Sequence, residues 1–301
     1  MNLKQYFLDE TNSTKKFTVI LGSGIHGIVN KNSILSNWEI LLAKILKNDA
    51  LNYHNDKKII PETIRFERAI SQYSTKFKEI NAARVEEKLL KKIAKEIISE
   101  SNKIDINSYN HLSFLKSPKI SDVISLNFDL TAEKLNYGRN IGSPKYLYNN
   151  KKILKSTRHR TINHINFWHP HGDINSSSSM QLSFRNYTLI NQEIEILRKK
   201  FKSNEHKPDE LTEQSWVSAI MQNPVIILGA SLSYSELDLW QTFINRERNF
   251  LQKKNSKYKE PIFILTEGDS HSHIPNEFYF PIISNKSTFQ KGWNELNKLL
   301  K

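Results

Sequence analysis

Phe17-Thr18-Val19-Ile20-Leu21-Gly22-Ser23-Gly24-Ile25-His26-Gly27 is the stretch on which the fold turns. Its first five residues are apolar or β-branched without alternation. That is the pattern of a strand buried on both faces, as in a parallel sheet. Gly22 ends the strand, and Gly22, Gly24 and Gly27 fit G-x-G-x-x-G directly after it. Glycines at that spacing let the backbone turn tightly and approach a pyrophosphate, whose charge backbone N–H groups stabilise. A glycine-rich turn with no ligand has the same spacing. A hydride-transfer version also wants an acidic residue about 20 positions on, at the end of a second strand. Asp49 stands near that distance but follows a helical stretch, Trp38 to Lys47. There is no G-K-[ST], so a P-loop is excluded.

Outward from this segment, short apolar runs alternate with helical stretches. Ser36 and Glu39 have the spacing of a capping box and open a helix over 37–48. Residues 62–100 hold no glycine or proline, and Ile64, Ala69, Ile70, Leu89, Leu90, Ile93 and Ile97 recur at helical spacing. Strands are expected at 123–126, 162–168, 225–229, 262–265 and 278–283. Helices are expected from Asp129, over 185–202, 211–222 and 235–253, and at 287–300. Strand–helix alternation implies an α/β fold, a Rossmann-like doubly wound parallel sheet. Residues 28–120 are more than a crossover needs and read as a helical module inserted after the first strand. One domain, 1–301, accounts for the chain.

The 301 residues contain no cysteine, which rules out disulfides, cysteine-ligated zinc, iron–sulfur clusters and thiol catalysis. Lys+Arg 44 against Asp+Glu 31 gives a formal net charge of +13. The charge is spread along the chain without a concentrated arm, as on a solvated surface. Attraction to nucleic acid or an acidic partner is the functional alternative. Met1 to Tyr6 lack the basic start and apolar stretch of a secretory leader. No apolar run approaches the roughly 18–20 residues of a spanning helix. A cytoplasmic protein without membrane contact is expected.

Ligands of such sheets bind beyond the carboxyl ends of the strands, and the candidate chemistry recurs there. Gly22–Gly27 follow the first strand, Asn127–Asp129 the second, His169–Asp173 the third, Gly229–Ser231 the fourth and Thr266–Glu267 the fifth. Asn127 can orient a water or a ribose hydroxyl. Asp129 can accept from an amide or cap the next helix. His169, His171 and Asp173 have the i, i+2, i+4 spacing that sets metal ligands on one side of a strand. Pro170 interrupts that strand, and a lone catalytic His171 beside Gly172, or a structural histidine, are the other readings. Gly229 lets a nucleotide lie against the backbone, and Ser231 can bond phosphate or ribose. A nucleophile elbow would need G-x-S-x-G, and Ser233 occupies its last place. No role is assigned to the histidines at 159–164, 271 and 273.

Taken in order, these pieces resemble the sirtuin superfamily, in its bacterial branch without deacetylase features. Gly22-Ser23-Gly24-Ile25 resembles the first glycine motif, G-A-G-I-S, with His26 in place of the usual serine. Ser125 to Asp129 resembles Q-N-x-D, and His171-Gly172 the H-G pair. Gly229-Ala230-Ser231-Leu232 resembles the late G-x-S-L turn, and Leu237-Asp238 the S-L-x-x-x-x-D pattern. The likeness spans 17–270. The four zinc cysteines of sirtuin deacetylases are missing, which removes a module that helps to build the acyl-lysine cleft.

The resemblance therefore implies an NAD⁺ hydrolase, with NAD as substrate and no metal. Asn127 and His171 would be catalytic. Gly22, Ser23, Gly24, Asp129, Gly229, Ser231 and Glu267 would bind NAD. It further implies anti-phage defence and a partner such as a HerA-class ATPase or a short Argonaute, with nucleic acid involved only indirectly. A toxic hydrolase needs a gate, so the helical span 28–120 is expected to be a homo-oligomer or partner surface. An ADP-ribosyl transferase or cyclase on the same pocket, a non-catalytic NAD or ADP-ribose sensor, and a metal hydrolase on His169, His171 and Asp173 are the rival readings.

Overall fold

A computed structural model describes residues 3–9, 12–48, 61–138, 141–204, 214–230, 232, 236–252, 260–265, 280–281 and 289–300. In chain order the elements are α1 (Leu3–Leu8), β1 (Phe17–Leu21), α2 (Gly24–Gly27), α3 (Trp38–Asn48), α4 (Glu62–Phe77) and α5 (Ala82–Ser101). A 3-10 segment, Ile106–Lys116, leads to β2 (Ile120–Ser125), α6 (Thr131–Tyr137), β3 (Lys145–Asn149), β4 (Lys152–Ile162) and β5 (Ile165–Trp168). Then come α7 (Phe184–Asn204), α8 (Trp216–Gln222), β6 (Val225–Leu228), α9 (Leu237–Gln252), β7 (Ile262–Ile264), β8 (Phe280–Pro281) and α10 (Phe289–Leu300).

These strands form one eight-stranded sheet of order β3-β4-β5-β2-β1-β6-β7-β8. From β5 to β8 every pairing is parallel, while β3–β4 and β4–β5 are antiparallel. Counted in chain order, the parallel strands run 3-2-1-4-5-6, the order of dinucleotide-binding sheets. The chain reverses its winding between β1 and β6.

The unbroken apolar character of β1 follows from covering on both faces. Val19, Leu21, Val123, Phe167, Ile226 and Phe263 pack with Leu112, Phe114 and Leu115 of the 3-10 segment and with Trp293, Leu296 and Leu300 of α10. The alternate residues Ile20, Ile124, Trp168, Ile227 and Ile264 pack with Ile190 and Ile194 of α7, Trp216 and Ile220 of α8, and Leu239 and Phe243 of α9. A third core joins α3, α4 and α5 through Leu41, Ile45, Phe66, Ile70, Leu89 and Ile93. It takes in Phe128, Leu130, Met180 and Leu182 from the loops after β2 and β5. The three helices thus sit over the carboxyl ends of the strands, whereas residues 106–116 pack against the sheet itself.

Several local expectations change. The cap of α3 is Asn37, whose Oδ1 accepts from Glu39 N at 2.7 Å, while the Ser36 hydroxyl donates to Ser33 O. Glu39 pairs with Arg65 instead of completing a capping box. The stretch 62–100 is broken without glycine or proline: Lys78 adopts a left-handed φ of 50° and Asn81 caps α5. The strand expected at 162–168 is the corner of a hairpin, turned at Asn163 with φ 56°. Its partner β4 and the edge strand β3 were not anticipated.

Candidate active site

The turns after β1 and β6 meet where the winding reverses. Gly22 N donates to Leu228 O at 2.9 Å and Gly24 N to Gly229 O at 2.8 Å. A Cβ on Gly22 would lie 2.4 Å from Gly229 O, and one on Gly24 2.8 Å from Gly229 Cα. Gly229 itself has φ +64°, and a Cβ there would reach 2.7 Å from Ile25 N. Backbone packed on backbone requires these glycines whether or not a ligand binds. Two amides expected to cradle a pyrophosphate are therefore committed to the fold. Ser23, between them, faces the cleft.

That cleft has a volume of about 410 Å³, within the usual range for small-molecule sites. Gly22, Ser23, Gly24, Asn127, His171 and Gly229 all line it, as does Ala230. Trp38 and Glu39 of α3, Glu62 and Thr63 of α4, and Tyr187 of α7 close the other side. Ser231 and Glu267 lie outside the described residues.

Asn127 is buried at the end of β2, and its Nδ2 donates to Gly22 O at 3.1 Å. His171, also buried, has Nε2 2.9 Å from Asp238 Oδ2 in the first turn of α9. A carboxylate only accepts, so Nε2 carries the proton and a neutral ring keeps its lone pair on Nδ1. Nδ1 lies 3.5 Å from Tyr187 Oη, and the two rings pack at 5.0 Å between centroids. Burial, then the fields of Asp238, Glu236 and Glu62, push the Tyr187 phenol well above its ordinary pKa, so it stays protonated. Gly172 is needed beside His171, since at φ +84° a Cβ would fall 2.0 Å from Ser179 O.

Asp129 does not line the cleft. It borders a recess of about 20 Å³ next to it, together with Ser23, Asn127 and Trp38. Its Oδ1 accepts from Thr131 N at 2.9 Å and its Oδ2 lies 2.9 Å from His26 Nε2. Burial opposes ionisation, but His26 and Thr131 hold the carboxyl well below the usual carboxylate range. The other nitrogen of His26 meets Tyr109 Oη at 2.7 Å. His26 thus anchors Asp129.

The residues His169, His171 and Asp173 diverge. His169 Nε2 lies 2.5 Å from Glu133 Oε1, His171 faces Asp238, and Asp173 accepts from Arg158 at 2.5 and 3.1 Å and from Arg160 at 2.7 Å. Among the described residues no group of three or more His, Asp or Glu gathers as a metal site. Also among them, no helix is long and apolar enough to cross a membrane. Sequence reasoning gave no role to Asp238, Tyr187, Glu133, Arg158 or Arg160. Only Asp238 had a signal, as the acid in the first turn of a helix after a buried strand.

No protein-family model matches the chain, and no curated protein matches it.

Proposed function

We propose that the protein is an NAD⁺ glycohydrolase that releases nicotinamide and leaves ADP-ribose. One observation carries the reading: Asn127, His171 and both glycine turns, far apart in sequence, line one cleft at the winding reversal of a 3-2-1-4-5-6 sheet. The nicotinamide of NAD⁺ is already cationic, so its departure needs no proton. As the C1′–N bond breaks, nicotinamide leaves with the electron pair and the ribose gains oxocarbenium character. Water then forms the new C1′–O bond and gives up a proton.

In this reading Asn127 orients the water and the ribose, its amide fixed by Gly22 O. His171 Nδ1 takes the proton, and Asp238 holds the tautomer that leaves Nδ1 unprotonated and facing the Tyr187 hydroxyl. Ser23 binds the pyrophosphate, the amides of Gly22 and Gly24 being taken by the fold, with Gly229 on the adenosine side. Asp129, tied to His26, serves the nicotinamide amide through the small recess. That recess holds about one water, so ring binding requires the α3 side to yield. We read α3–α5 as a module inserted after the first strand that roofs the cleft.

The resemblance supports a defence role in which NAD loss is the effect. Constitutive turnover would harm the producing cell, so control by self-association or by a partner such as a HerA-class ATPase or a short Argonaute belongs to this proposal. Incubating purified protein with NAD⁺ and following nicotinamide and ADP-ribose by chromatography tests it. Cyclic or protein-bound ADP-ribose in place of the free product would select the transferase or cyclase. Tight NAD⁺ binding without products would select the sensor.

A further inference from the structure

We infer that His169 is held as an imidazolium that clamps the main chain of Asn127, and is thus a positioning residue for the cleft. His169 is fully buried directly after β5. Its Nδ1 lies 3.2 Å from the Asn127 carbonyl oxygen and its Nε2 2.5 Å from Glu133 Oε1 on α6. A peptide carbonyl and a carboxylate both accept, so a ring bonded to both must donate from both nitrogens. Arg160 Nη1 stands 3.9 Å from the same oxygen, a second cationic group beside the Glu133 carboxylate.

The groups facing His169 come from three elements. Glu133 stands on α6, Arg158 and Arg160 on β4, and Asp173 on the loop beyond His171. Arg158 and Arg160 both bind Asp173, so β4 ties down the loop that carries His171. His169 N also donates to Arg158 O, and Ile174 N to Phe128 O. The loops after β2 and β5, one holding Asn127 and the other His171, are therefore stitched together, with His169 as the charged stitch. Burial lowers the ring's affinity for its proton, but Glu133 and Asp173 outweigh it against the opposing Arg160, and the pKa is raised.

The clamp stands on this geometry; its effect on turnover rests on the NAD⁺ reading above. The first measurement needs no activity. Histidine side-chain ¹⁵N spectra of the whole protein at pH 7.5 should show a ring protonated on both nitrogens whose signal is lost in His169→Gln. The Asn127 side-chain amide should shift as that ring titrates. If His169→Gln removes only a neutral tautomer from the spectrum, or Asn127 does not respond, the clamp is wrong.

The second measurement is kinetic. Wild-type kcat should fall as pH rises through the ring pKa found by NMR, with KM changing less than about threefold. Glu133→Gln removes the carboxylate that holds the proton, so the fall should move to lower pH. In His169→Gln, which keeps an amide donor toward Asn127 without the charge, the fall should vanish. An alkaline fall at the same pH in all three proteins would overturn the positioning role. Absence of any NAD⁺ turnover in the wild type would sink the NAD⁺ reading instead, while the nitrogen spectra still decide the clamp.

Discussion

In the proposed hydrolysis His171 and Asn127 divide the work differently, and each makes its own prediction. Under that proposal Asn127→Ala removes the group that orients water. His171→Ala removes the proposed base. Each should lower NAD⁺ turnover at least about a hundredfold, the scale of a positioned acid–base group, with the circular dichroism spectrum unchanged. Wild-type turnover in either variant would strip that residue of its role. Asp238→Asn keeps the shape but offers an amide N–H to Nε2, favouring the other tautomer. Turnover should fall by about a hundredfold or more, while NAD⁺ affinity measured by calorimetry stays within about threefold.

His111 gives a test of stability at the same scale. Burial first, and the nearby His26, bring its pKa down to about 4, against a donated bond to Ile25 O. Its unfolded value is about 6.5. Between those values the unfolded chain binds the proton and the folded one does not, so stability falls as pH drops from 6.5 towards 4. Asp129 and Asp173 have folded values below the unfolded one, so their contribution is present above about pH 3.9 and is lost only as pH falls through the lower folded values. Urea midpoints at pH 7 and pH 4.5 should therefore differ, and His111→Phe should shrink the difference. An unchanged slope would place the acid sensitivity elsewhere.

At the scale of elements, the two glycine turns are a structural joint before they are a ligand site. Gly22→Ala forces a Cβ to 2.4 Å from Gly229 O. The strain should cost about 1–3 kcal/mol and lower the melting temperature by several degrees, whatever NAD⁺ does. A variant with unaltered melting would mean the turns separate freely. β1, β6 and β7 were legible in the sequence because both-face burial leaves an unbroken apolar run. β3 and β4 were not, because Lys145 to Arg160 reads as basic surface. Arg158 and Arg160 are in fact buried, and what neutralises them, Asp173 and Glu133, lies far along the chain or on another element. The strand-end placement of Asn127 and His171 was readable from local pattern alone. The bond between His171 and Asp238, 67 residues apart, was not.

For the whole molecule, the helices α3–α5 share one core with Phe128 and Met180 of the loops after β2 and β5, and Ile80 is almost fully exposed at the α4–α5 turn. If this module gates the enzyme through self-association, specific activity should rise with protein concentration in parallel with mass by light scattering. Ile80→Asp should flatten both curves. Activity independent of concentration in a monomer would remove that form of control. The divergence of His169, His171 and Asp173 onto separate partners predicts that chelator leaves turnover intact. Stoichiometric metal lost together with activity would revive the metal-hydrolase reading.

The proposed function assigns NAD⁺ cleavage in this cleft to Asn127 and His171. The most direct measurement is a single-turnover incubation, with protein in excess over NAD⁺ so that a restrained enzyme still reveals its chemistry. Wild type and Asn127→Ala are compared by chromatography. Hydrolysis through these residues yields equal amounts of nicotinamide and ADP-ribose from the wild type and almost none from the variant. NAD⁺ left intact by both, or consumed equally by both, would contradict it.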